Sequence, residues 1–300
     1  MIDVCLLGTG GMLPLPNRYL TSLLLRYQGK SLLVDCGEGT QVAISQYAWA
    51  MNTINTICFT HFHGDHVAGI SGLLSTISSE GRTEPIHILG PKNVEWVIAQ
   101  ICVVVHPTFD IFFHEIHLGE IFSMEDLKIR PIPVNHSVPC FAYRFDLPRK
   151  PKFLPEKAKD IGLPVHFWGK LQEGLSVLWE GRNVEPKEVL GPERKGLSLL
   201  YSTDTRPTES LEEACQNVDL AILEGIYGDE EKQKSAVEKK HMTSQEACHL
   251  AKRARPKELW LTHYSPSFRD QSSYDHSIKG IYPQASFGWD GRTKTLKFEE

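Results

Sequence analysis

Apolar residues in this chain fall in short runs of four to seven, each closed by glycine, proline or a polar residue. Ile2-Asp3-Val4-Cys5-Leu6-Leu7 reads as a buried strand running into Gly8-Thr9-Gly10-Gly11, where the tight glycine turn is the simplest reading. Residues 21–27 and 31–35 read as a hairpin about Gln28-Gly29-Lys30, and Cys36-Gly37-Glu38-Gly39-Thr40 opens a helix with Ile44, Tyr47, Ala48 and Met51 on one face. Thr56–Phe59 and Ile86–Leu89 are further strands. Helical spacing runs from Asp65 through Ile70, Leu73, Leu74 and Ile77, and from Pro91 through Val94, Val97, Ile98 and Ile101. Thr243 and Glu246 form a capping box ahead of a helix that ends before Pro256. Strands alternating with helices predict an α/β fold.

Several later strands end in a single metal-type or acid-base side chain. Residues 129–134 lead to His136, 197–202 to Asp204, 220–223 to Glu224 and 258–261 to His263. One histidine after a strand is usually structural; four such endings are a pattern, because a sheet holds side chains rigidly where the loops open. Upstream lies Thr60-His61-Phe62-His63-Gly64-Asp65-His66, with three imidazoles and a carboxylate within six residues. These are zinc-type ligands, and Gly64 lets Asp65 and His66 aim at a different point from His61 and His63. One ion would not accept all four groups and stay open for chemistry; two neighbouring ions would, and such pairs serve phosphoester hydrolysis. Asp35 either supports this loop or orders its own turn. His106, His114 and His117 lack ligand spacing and read as surface or structural residues.

The chain has 300 residues, 41% of them apolar, enough for one large α/β domain or two smaller ones. No apolar run nears the roughly 20 residues of a membrane helix, and the strand at residue 2 leaves no room for a signal peptide. Seven cysteines, an odd number without a CxxC pair, suit reduced thiols in a cytoplasmic protein. A net charge of −5 confines any nucleic-acid contact to a local basic patch. Residues 149–170 supply one, with six lysines and arginines against two acids.

The histidine string resembles the HxHxDH motif of the metallo-β-lactamase superfamily, and Asp35-Cys36-Gly37-Glu38-Gly39-Thr40-Gln41 resembles a motif of its ribonuclease Z family, the tRNA 3′-processing endoribonucleases. The resemblance implies a four-layer αββα sandwich forming a single domain over residues 1–300, with a flexible arm inserted at 148–195 as a substrate-binding exosite. It implies two Zn2+ ions per chain, with Mn2+, Fe2+ or Co2+ as possible substitutes. His61, His63 and His136 would hold one ion, Asp65, His66 and His263 the other, and Asp204 would bridge them. Precursor tRNA would lose its 3′ trailer to hydroxide generated at the metal pair, with Asp65 aligning the water and His241, paired with Glu224, acting as acid or phosphate stabiliser. Arg18 and the arm residues Lys150, Lys152, Lys157, Lys159 and Lys170 would contact RNA. The family's habit implies a homodimer. A small-molecule phosphodiesterase or other hydrolase of the same fold is the alternative; a metal-bound RNA-binding protein without turnover is a more distant one.

Overall fold

The computed structural model describes residues 1–228 and 230–299. Its chain divides into two compact units: residues 1–146 with 198–297, and residues 147–197 with the last few residues of the chain.

The larger unit contains two seven-stranded sheets. The first comprises β1 (Ile2–Gly8), β2 (Ser22–Tyr27), β3 (Lys30–Val34), β4 (Ile54–Cys58), β5 (Ile86–Gly90) and β6 (Ile111–Glu115), joined at the β1 edge by a strand from the C-terminal end. The second begins with β7 (Phe122–Met124), β8 (Leu127–Pro133) and β9 (Phe141–Arg149). After β10 (Val177–Trp179) and β11 (Arg182–Val184), a hairpin of the smaller unit, it continues with β12 (Arg194–Ser202), β13 (Leu220–Glu224), β14 (Leu259–Thr262) and β15 (Ala285–Phe287). The last strand, β16 (Arg292–Leu296), is the one beside β1. Pairing is parallel from β3 to β6 and from β12 to β15, and antiparallel from β1 to β3 and from β7 to β9.

Strand side chains alternate between two buried faces, which explains the continuous apolar runs. Cys5, Leu7, Leu24 and Leu33 pack with helical residues Ile44, Leu73, Leu74 and Ile98. Leu200, Ala221, Leu223 and Leu261 pack with Leu211, Cys248, Leu250 and Ile278 from helices Glu209–Cys215, Ser244–Ala254 and Asp275–Ile281. The opposite strand faces, carrying Leu6, Leu23, Leu25, Tyr201, Ile222 and Trp260, are also buried. The layers are therefore helix, sheet, sheet, helix, the α/β sandwich expected. Among the described residues, no helix is long and apolar enough to cross a membrane.

Two local expectations need correction. The helix expected to run continuously from Asp65 is two helices, Gly64–Val67 and Ile70–Ser79. The break lies at Gly69, whose backbone passes so close to Gly37 that a Cβ would sit 2.0 Å from the Gly37 carbonyl oxygen. The helix after Gly39 stops at Gln46, and Ala48 turns left-handed at φ 57°; Thr40, Ala43 and Ile44 are its buried residues, and Met51 lies in a separate short turn. The smaller unit, which overlaps the arm expected at 148–195, contains helices Pro155–Asp160, Trp168–Gln172 and Pro186–Val189 besides the β10–β11 hairpin. Ala158, Leu163, Leu171, Val177, Val184 and Val189 form its own small core. Elements this short gain order from packing on one another, and so leave little periodic trace in sequence.

Candidate metal centre

Strand ends bring the predicted polar residues together. β4 feeds the loop bearing His61, His63, Asp65 and His66; β8, β12, β13 and β14 deliver His136, Asp204, Glu224 and His263. His61 Nε2 lies 3.0 Å from His63 Nδ1, which lies 3.3 Å from His136 Nε2. Asp204 Oδ2 faces this set, 3.7 Å from His61 Nε2 and 3.6 Å from His136 Nε2. On the other side, His66 Nε2 and His263 Nε2 are 3.3 Å apart, and each is 3.6 Å from Asp65 Oδ2. Asp204 Oδ1 faces this second set at 3.2 and 3.1 Å. The two oxygens of one carboxylate thus address two different groups of ligand atoms, each group spanning no more than 4.8 Å.

Second partners fix these rings. His66 Nδ1 is 2.8 Å from Asp35 Oδ2, and Asp35 Oδ1 accepts the backbone N–H of Thr60 at 2.8 Å. Asp35 therefore both orients His66 and anchors the motif. His136 Nδ1 donates to the Lys240 carbonyl at 3.2 Å, while Lys240 Nζ donates to the His136 carbonyl at 3.0 Å. Thr60 Oγ1 is 3.0 Å from His61 Nδ1, and Glu224 Oε2 lies 3.6 Å from His263 Nδ1. At His61, His66 and His136 one ring nitrogen is thus occupied and the other aimed inward, the arrangement that orients metal-binding histidines.

A divalent cation suits this donor set. Asp204 Oδ1 is buried and accepts no hydrogen bond, although two imidazole nitrogens stand within 3.2 Å of it. Nitrogens that close without hydrogen-bond alignment behave as ligands of a common centre. Burial alone would push Asp204 up, but the imidazoles of His263, His66 and His61 outweigh it and hold the carboxyl well below the usual range. Burial would likewise lower His66 and His263; Asp204, with Asp35 for the former and Asp65 for the latter, overrides it, raising His66 well above the imidazole range and His263 to about 10. Burial dominates at His61 and lowers it. Protons and cations compete for these nitrogens, so metal uptake displaces protons.

His241 stands at the rim, its Nδ1 3.0 Å from Glu224 Oε2 and 3.8 Å from Asp204 Oδ2. The expected capping box on Thr243 and Glu246 is present and starts the following helix two residues beyond it. Glu224 is fully buried, and its Oε1 accepts the Thr205 N–H at 2.6 Å. Sequence reasoning missed Arg206, which donates to the His241 carbonyl and pairs with Glu246. It also missed Lys240 and the role of the first glycine loop. A Cβ on Gly11 would lie 2.7 Å from the His263 ring, and Met12 donates its N–H to Asp65 Oδ2 at 2.6 Å. The loop is part of the site rather than a plain turn. Met12, Asp35, Lys240 and His263 all adopt left-handed backbone, with φ 72°, 60°, 58° and 58°, a concentration of strain that marks functional sites.

Arg18 is half-buried, donating from Nη1 to the Phe268 carbonyl at 3.0 Å and lying over the Tyr264 ring. Lys150, Lys152, Lys157, Lys159 and Lys170 are all exposed on the smaller unit.

Comparison with known proteins agrees with this architecture. Residues 2–146 match the family model of the anti-Pycsar protein Apyc1, and residues 180–264 that of the beta-lactamase superfamily domain. A ribonuclease Z from Lachnoclostridium phytofermentans is 45% identical over all of this chain and 99% of its own length. One from Clostridium acetobutylicum is 43% identical over the same shares. The crystal structure of human tRNase Z, short form, superposes with a TM-score of 0.71 at 25% identity, covering 99% of this chain and all of that one. The sandwich described above is the metallo-β-lactamase fold, and the chain belongs to the ribonuclease Z family.

Proposed function

We propose that this metal-dependent endoribonuclease hydrolyses precursor tRNA after the discriminator nucleotide, using two Zn2+ ions and releasing the 3′ trailer. The observation that carries the reading is Asp204, whose two oxygens face separate ligand sets. His61, His63 and His136 would hold one ion and Asp65, His66 and His263 the other, with Asp204 shared; manganese, iron or cobalt could replace zinc at such His/Asp sites. When bound, the pair supplies activation of water and neutralisation of charge on the phosphate oxygens.

The chain's own residues do the rest. The Met12 N–H steadies Asp65 Oδ2, leaving its carboxylate to align the attacking water and receive its proton. His241, with Nδ1 against Glu224, has Nε2 available to protonate the departing 3′-oxygen. The new P–O bond forms to water oxygen, the P–O3′ bond breaks, and tRNA leaves with a 3′-hydroxyl and the trailer with a 5′-phosphate. The exposed arm lysines suit contacts to the sugar-phosphate backbone, which carry affinity without reading bases, and Arg18 would guide RNA beside the site. All seven cysteines are unpaired, which supports a cytoplasmic setting, and the family resemblance supports a homodimer.

The test is cleavage of a precursor tRNA bearing a 3′ trailer, with and without encoded CCA, alongside bis(p-nitrophenyl) phosphate. A single cut after the discriminator is expected. Deletion of residues 150–190 should abolish that cut and spare the small substrate. Turnover of the small substrate without any RNA cleavage by the intact protein would favour a small-molecule phosphodiesterase instead.

A further inference from the structure

Two histidines outside the catalytic cluster also meet. His87 on β5 and His114 on β6 project from the same face of adjacent parallel strands, since His87 pairs with Phe112 and Leu89 with His114. His87 Nδ1 and His114 Nε2 are 3.0 Å apart. That equals the His61–His63 separation and falls just below the 3.3 Å of the His63–His136 and His66–His263 pairs. Two imidazoles on one zinc ion, each at about 2.05 Å, stand about 2.9 to 3.4 Å apart as the angle opens from square to tetrahedral. The rings are held in place by neighbours: Phe112 stacks on His87 at 5.4 Å, and Phe122 meets His114 edge-on at 5.9 Å.

Both rings line an open cavity shared with Lys30, Asn55, Thr56, Ser123 and Glu125. The Lys30 ammonium is already paired with Glu125, so the cavity does not present a bare positive charge to an incoming cation. Burial, and then the neighbouring His114, hold His87 below the ordinary imidazole range, which favours the neutral, ligating form. His87 is paired with Thr56, near the start of β4, whereas the catalytic motif leaves the end of that strand. The separation from Thr56 to Thr60 is about 13 Å of extended chain.

We propose that His87 and His114 form a separate metal site for a borderline divalent transition cation such as Zn2+, Ni2+ or Cu2+, with water completing the coordination. Imidazole donors select these ions over Mg2+ and Ca2+. An ion there ties β5 to the edge strand β6, so excess zinc stabilises the folded chain beyond what the catalytic ions contribute.

The experiment uses protein whose catalytic cluster is already loaded with zinc, brought to equilibrium with excess free zinc. Wild type should carry one more zinc per chain than His114→Gln or His87→Gln, while all three hydrolyse bis(p-nitrophenyl) phosphate alike. An anomalous-difference map at the zinc edge, recorded on wild-type crystals soaked in zinc, should show a peak between the two rings. It decides the matter even if a variant folds poorly. Equal zinc content in all three proteins, or a map with peaks in the catalytic cluster alone, would reduce the pair to a hydrogen bond and overturn the site.

Discussion

In the larger unit the decisive ionisable groups are buried and mutually constrained; in the smaller one the lysines stand in solvent on a scaffold with a small core of its own. Asp204, His61, His66 and His263 are each no more than 3% exposed; Asp35 holds His66, and Asp204 and His263 face each other from different strand ends. None of the five lysines proposed to meet RNA is buried. The contrast shows how far the setting of an ionisable group decides what it does. Inside, one carboxylate faces both sets of ligand-type nitrogens. Outside, each cation adds a small, salt-screened increment to binding, and no single one is decisive.

Replacing Asp204 tests the buried half hardest. Asp204→Asn keeps the shape but removes the charge facing both ligand sets, and turnover should fall on the order of 10³-fold or more on RNA and on bis(p-nitrophenyl) phosphate alike. A loss confined to RNA would show that Asp204 does not serve the metal centre. His241→Ala should come next, lowering RNA cleavage by about 10² to 10⁴ while metal content, read by atomic emission, stays at the wild-type level. Equal loss of metal would make His241 a ligand, a role that its place beside Asp204 and His263 makes worth testing. Asp35→Asn should weaken metal retention by about 10- to 100-fold, because the Nδ1–H of His66 loses its carboxylate partner; competition with a chelator measures this. At the exposed end, Lys157→Ala should lower affinity for precursor tRNA only slightly and reduce the slope of log affinity against log salt by about one. A large change in turnover of the small substrate would break the comparison, since it would tie an arm lysine to the chemistry.

Much of this architecture is written in the sequence as residue type and position. The residues that the fold gathers could be singled out because histidine and aspartate at the ends of apolar strands are chemically explicit, whereas their grouping about two ions followed only from the family resemblance. Their supports were less legible. Met12 and Gly11 act through a backbone N–H and through the absence of a side chain, so neither advertises itself in composition. Lys240 and Arg206 look like ordinary surface cations until the fold brings them to the carbonyls of His136 and His241. Gly69 breaks a helix that periodicity carries straight through, because the constraint is contact with Gly37, distant in sequence. The core of the smaller unit is likewise spread over helices of four to six residues, too short for a repeating apolar stripe.

The most direct measurement is an anomalous-diffraction structure of the metal-loaded protein, with the metal edge identifying the element. The account predicts two ions in the His/Asp cluster, one among His61, His63 and His136 and the other among Asp65, His66 and His263, each bound by a different oxygen of Asp204. A single ion in that cluster, or two ions with Asp204 touching neither, would contradict it.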